Sequence, residues 1–133
     1  MRNPESWTKG SLILVHRFKF SDDPKPRPKY CVLLESWNNG KEDILITLVT
    51  SKVKKYANRS DVVLIKANTV GLPDDSLIHS GGLRPYPKSA FTKNSKYIST
   101  LSDELVETII AKIQYARVST ELFLRARGVT NFP

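Results

Sequence analysis

The sequence predicts a mainly β (α+β) fold: a small, strongly curved antiparallel sheet or open barrel with a C-terminal helix packed against it. Two features carry this. Residues 11–100 contain five or six short apolar runs rich in β-branched residues, separated by Gly, Pro, Asn and Asp. After Ser102 the apolar residues recur at helical spacing instead. A chain of 133 residues is long enough to bury a core without disulfides, so one domain, 1–133, is expected.

In chain order, residues 11–18 (SLILVHRF) enter from Gly10 and carry bulk on both faces, as a central strand does. Residues 19–29 follow, with Pro24, Pro26 and Pro28. Alternating prolines exclude helix and predict an extended basic loop, Lys25-Pro26-Arg27-Pro28-Lys29. Residues 30–37 (YCVLLESW) and 42–50 (EDILITLVT) read as a hairpin, with Asn39-Gly40 suited to the positive φ of a tight turn. Residues 51–60 gather Lys52, Lys54, Lys55 and Arg59 in a loop without an acid. Residues 61–66 (DVVLIK) form another strand, Gly71 to Asp75 a turn, and residues 76–79 (SLIH) a short strand stopped by Gly81-Gly82. Residues 83–96 read as loop, and 97–100 as a last strand.

Ser102 has the character of a helix cap. Asp103 and Glu104 suit the positive end of the dipole, and Leu101 can staple onto Val106. Leu105, Ile109, Ile113 and Ala116 form a stripe that faces the sheet. Ser119 or Thr120 begins a second helical segment ending before Gly128, with Arg125 and Arg127 at its negative end.

Composition narrows the function. Lys and Arg number 21 against 13 Asp and Glu, a formal charge of +8, which favours a polyanionic partner such as nucleic acid. The single Cys31 cannot pair within the chain, as expected of a thiol in a reducing compartment. With no signal peptide visible and no apolar run of bilayer-spanning length, a cytoplasmic location and no membrane partner are expected. Phosphate-binding glycine loops, Cys or His clusters with metal spacing and nucleophile elbows are all missing from the sequence. No metal or cofactor is expected. What remains suits RNA cleavage in which the RNA supplies its own 2′-hydroxyl and the protein positions and stabilises charge.

Lys9-Gly10 before a strand, Arg27-Pro28 before an apolar strand, Val49-Thr50-Ser51-Lys52 closing the next, and Gly71-Leu72 with Ser76 further on follow one another in order. In this order the chain resembles the PemK/MazF toxins over residues 9–118, leaving 119–133 as a C-terminal extension. The resemblance implies an SH3-like barrel with a C-terminal helix, usually dimeric. It further implies the toxin of a toxin–antitoxin pair: an endoribonuclease that cuts single-stranded RNA, such as mRNA, leaves a cyclic phosphate, and is neutralised by a cognate antitoxin. The family's arginine falls on Arg27 and its threonine on Thr50. An ungapped match of the strand would instead put Lys29 in the arginine's place, so both cations stand as candidates. Ser11 stands where the family usually has Asp.

Arg27 or Lys29 would stabilise charge on the scissile phosphate, and Thr50 would hydrogen-bond its oxygens. Ser51 and Lys52 would support them. The run Lys52, Lys54, Lys55 and Arg59 could track an RNA backbone beside Tyr56, whose ring could stack a base, with Arg84 and Tyr86 as a similar pair. Of the two histidines, His79 at a strand end is the candidate to touch the site, whereas mid-strand His16 is expected to be a satisfied, buried or half-buried residue. Trp7 and Trp37 are expected to fill core. Two alternatives share these residues: a nucleic-acid-binding module without catalysis, and a protein-targeting toxin similar to CcdB whose effector surface lies at the helix end near Arg125 and Arg127.

Overall fold

A computed structural model describes residues 3–19, 25–91 and 95–129. It is mainly β, with six antiparallel strands curled into a half-barrel and a few helices, consistent with a small SH3-like fold. The strands are β1 (Ser11–Phe18), β2 (Arg27–Leu33), β3 (Asp43–Thr50), β4 (Val62–Ile65), β5 (Ser76–Pro87) and β6 (Ser95–Thr100), in the spatial order β4-β5-β3-β2-β1-β6. Helix α1 (Val53–Tyr56) follows β3, and α2 (Asp103–Lys112) and α3 (Thr120–Ala126) close the chain. No helix among the described residues is long and apolar enough to cross a membrane.

Because side chains alternate across a strand, both faces of the sheet find cover. On one face Leu12, Val32, Leu45, Val49 and Ile78 pack with Val106, Ile109, Ile110 and Ile113 from the helical segment. On the other, Ile13, Cys31, Leu33, Ile44, Ile46 and Leu48 pack with Trp7, Trp37 and Phe91. Trp7 meets Trp37 edge to face at 5.3 Å, so both tryptophans fill core as expected.

The helix signals read from the sequence correspond to observed bonds. The Ser102 hydroxyl accepts from the Leu105 N–H, and the Ser119 hydroxyl from the Leu122 N–H. Leu101 and Val106 share one core cluster, as the staple requires. Between the helices a 3-10 turn (Ile113–Tyr115) ends at Ala116, whose φ of −117° and ψ of 161° are extended. The two are therefore separate helices and not one bent one.

Several boundaries differ from expectation. The basic loop is largely strand: β2 starts at Arg27, and Pro28 lies where β2 pairs with β1 alone, at an irregular register between Lys29 opposite Val15 and Arg27 opposite Phe18. A missing ladder donor is tolerated at such a position. The hairpin exists, Cys31 facing Leu48 and Leu33 facing Ile46, but a longer connection over residues 34–42 replaces the tight turn. Gly40 has φ of +73°, while Asn39 bonds through its side chain to Glu35, the Asp43 carbonyl and the Lys41 N–H. The loop expected at 51–60 contains α1. Strand β5 runs through Gly81-Gly82 without stopping, and its prolines, Pro85 and Pro87, lie beyond the part paired with β4. Residues 83–87 are thus strand and 88–91 a 3-10 turn, while 20–24, 92–94 and 130–133 lie outside the described residues.

The C-terminal extension is part of the fold. Ala126 is fully buried, Lys9 Nζ donates to the Ala126 carbonyl at 2.6 Å, and Arg125 donates to both Glu35 oxygens and to Asp43, each at 2.7 Å. Burial alone would raise the Glu35 pKa, but hydrogen bonds from Arg125, Asn39 and the Leu45 N–H outweigh it and hold it below the ordinary 4.5. Its stabilisation is complete above that value and is lost as pH falls through the folded-state pKa. Arg125→Ala is expected to cost about 2–3 kcal/mol in denaturant unfolding. On acidification below pH 4.5 the wild type should lose stability more steeply than the variant; parallel acid curves would show that the Glu35 pairing contributes nothing.

Candidate functional site

The site lies where the sheet curls. Along most of its length β3 pairs regularly with β5, but the register jumps from Ile46 opposite Arg84 to Leu48 opposite His79. Residues 80–83 of β5 therefore stand against Thr47 alone, and this surplus of three residues bulges, a local device that bends a strand and re-aims its side chains. Thr47, fully buried, donates its hydroxyl to the His79 carbonyl inside the bulge. Glycine is required at 81: a Cβ there would come within 2.2 Å of Asp61 Oδ2 and 3.0 Å of His79 Nε2.

Beside this bulge opens a cleft of about 530 Å³ whose described walls include Arg27, Pro28 and Lys29 from β2, Leu48, Val49 and Thr50 from β3, and His79 and Arg84 from β5. Lys52, Tyr56 and Arg59 from the segment around α1 and Val62 from β4 also line it. Five of the lining side chains are cationic and none is acidic.

Lys29 is half-buried, and its pKa is lowered by that burial first and then by the charges of Lys52 and Arg84. No carboxylate pairs with it among the described residues. An unpaired, partly desolvated ammonium facing like charges is costly in the free protein. An incoming anion removes that cost. Thr50 Oγ1 accepts from the Lys52 N–H at 3.2 Å, which leaves the hydroxyl hydrogen to donate into the cleft.

One acid stands behind the basic wall. Asp61, 2% exposed, receives a two-pronged bond from Arg59 (Nε to Oδ1 2.9 Å, Nη2 to Oδ2 3.0 Å), and His79 Nε2 lies 2.9 Å from Oδ2. The Arg59 bonds are the main reason its carboxyl stays below the usual range, against the opposing effect of burial. It is ionised at neutral pH and takes part as an acceptor only.

Of the residues singled out from the sequence, Arg27, Lys29, Thr50, Lys52, Tyr56, Arg59, His79 and Arg84 share this cleft. Lys54 and Lys55 do not; with Ser51 and Lys52 they line a neighbouring depression that Asp74 and Asp75 also border, while Ser51 also shares a smaller adjoining hollow with Lys29, Thr50, Lys52 and Asp74. Lys55 Nζ sits 5.2 Å from the Tyr56 ring centre. Tyr86 is not an open stacking platform, because its ring lies on Phe18 at 4.4 Å and its hydroxyl accepts from the Lys19 N–H. Ser11 is buried and closes the turn at Gly10 by bonding both the N–H and the carbonyl of Thr8. His16 is exposed, contrary to expectation, because it falls at the irregularity between Val15 and Phe18 where β1 leaves its ladder.

Arg59 reads in the sequence as part of the basic run, and its pairing with Asp61 is missed there. The signal was the spacing Arg59-Ser60-Asp61, an acid directly after a basic run and just ahead of a strand. No family model matches the chain, and no curated protein matches it.

The uncompensated Lys29 gives a two-sided expectation. Lys29→Met should raise the melting temperature of the free protein, since a lysine with a depressed folded-state pKa opposes folding while it is charged. The same change should weaken binding of a single-stranded oligonucleotide and lower the slope of log affinity against log salt by about 1. An unchanged slope would remove Lys29 from the phosphate contacts.

Proposed function

We propose that this protein is a metal-independent endoribonuclease that cuts single-stranded RNA, the toxin member of a toxin–antitoxin pair. The observation that carries this is the meeting of Arg27, Lys29 and Thr50 in one cleft whose described walls hold five cations and no acid. A phosphodiester is the ligand such a wall favours, and a chain of phosphodiesters also meets the exposed Lys54 and Lys55 next door.

Cleavage needs little covalent chemistry from the protein. The 2′-hydroxyl of the RNA attacks the adjacent phosphorus, the bond to the 5′-oxygen breaks, and a 2′,3′-cyclic phosphate remains. Negative charge grows on the phosphoryl oxygens as the fifth bond forms, so fixed donors there accelerate the step. Arg27 offers a planar fork for two oxygens and Lys29 a point charge. The Thr50 hydroxyl adds a neutral donor. Tyr56, half-buried on the cleft wall, offers a ring face to an unstacked base. Homodimerisation and neutralisation by a cognate antitoxin belong to the same proposal and rest on the resemblance alone.

A binding module without catalysis is the second possibility, favoured by the excess of cations over any group that could transfer a proton. Purified protein incubated with a mixed RNA pool and a chelator distinguishes the two. Cleaved products ending in cyclic phosphate are expected, with Thr50→Ala slowed about 10²-fold and a 2′-deoxy nucleotide at the cut site abolishing cleavage. Salt-sensitive binding with no product would leave the binding module standing, and cleavage of the 2′-deoxy substrate would exclude the mechanism.

A further inference from the structure

We propose that His79 is the general base of this cleft and that Asp61, held by Arg59, is its positioning residue. The proposal rests on the ribonuclease function given above and adds a proton acceptor, which Arg27, Lys29 and Thr50 do not supply.

The assignment follows from the bonds. An ionised carboxylate has no hydrogen to give, so in the 2.9 Å contact His79 Nε2–H donates to Asp61 Oδ2. In a neutral imidazole the other nitrogen, Nδ1, then carries the lone pair. No hydrogen bond occupies Nδ1 among the described residues, and it lies beside Gly82, 3.5 Å from where a Cβ would stand. His79 is also part of the cleft wall that holds Lys29 and Thr50. The surroundings look built for this arrangement. Asp61 is buried to 2%, Arg59 holds both its oxygens, and Gly81 leaves the space that the carboxylate and imidazole occupy.

In the step itself, Nδ1 takes the proton of the 2′-hydroxyl as O2′ bonds to phosphorus. The bond from phosphorus to O5′ breaks and its electron pair leaves with O5′, which takes a proton from water. The hydroxide so formed removes the proton from the imidazolium, and the site is restored.

The test uses the full chain and two substitutions. His79→Gln keeps an N–H donor for Asp61 but has no basic nitrogen, so it separates a structural role from a chemical one. Turnover is expected to fall about 10²- to 10⁴-fold, while affinity for an uncleavable 2′-deoxy oligonucleotide stays within about threefold of wild type. His79→Ala should regain turnover when imidazole is added to the buffer, and Asp61→Asn should lower kcat with little change in KM. Circular dichroism melts check that each variant is folded. If the wild type cleaves and folded His79→Gln cleaves within about threefold of it, His79 is not the base and the ribonuclease function survives. A wild type that binds RNA and cleaves none overturns both.

Discussion

The slip between β3 and β5 is the constraint on which the rest of the molecule depends. One residue of β3, Thr47, runs against four of β5, residues 80–83, between the pairs Ile46 with Arg84 and Leu48 with His79. The surplus cannot lie flat, so β5 bulges and the sheet curls. Beside the bulge the antiparallel register of β2 with β3, Cys31 opposite Leu48, carries the start of β2 to the end of β3, and Arg27, Lys29 and Thr50 come to one cleft. The same bulge turns His79 toward Asp61, and the absence of a side chain at Gly81 lets the two meet. Ser80, buried in the bulge, donates its hydroxyl to the Ile109 carbonyl and ties the slip to α2. Fold and site therefore share one irregularity.

Charge is distributed with a matching logic. Among the described residues the two most deeply held carboxylates, Glu35 and Asp61, each receive an arginine fork, from Arg125 and Arg59. Those pairs satisfy charge that burial would otherwise make costly. Lys29 has no such partner among the described residues, although burial and two neighbouring cations act against its charge. A fold that neutralises its buried acids and leaves a half-buried lysine unmatched stores unfavourable energy at one place, and an anionic ligand would release it.

Much of this was legible in the sequence. Strand content, the change to helical spacing after Ser102 and both serine caps follow from local rules, and the structure has them. The misreadings come from residues whose meaning depends on their neighbours in space. Pro28, Pro85 and Pro87 looked like loop residues, but each lies in a strand stretch with a ladder on one side only. Gly81-Gly82 looked like a stop and is a bulge. Asn39-Gly40 looked like a two-residue turn, but Asn39 is drawn into contacts with Glu35 and Asp43, and the connection lengthens around it. At the site, the cationic and hydroxyl residues could be named from order along the chain. The bond between Asp61 and His79 could not, because a register slip has no signature in local composition.

The C-terminal extension bears on what kind of protein this is. A toxin that acts through a protein surface at its helix end needs that surface available. Arg125, which such a surface would use, is 11% exposed and committed to Glu35 and Asp43. Its loss would loosen α3 from the β2–β3 connection before it altered any partner contact, since Ala126 beside it is fully buried in the core. Arg127, over the Phe123 ring at 5.7 Å, is exposed but stands without the rest of the cluster. Among the described residues the half-buried cation without a carboxylate partner is Lys29, at the cleft it shares with Thr50. Binding energy that discriminates a ligand comes from groups left unsatisfied in the free protein, and by that measure the cleft offers an anionic ligand more than the helix end does.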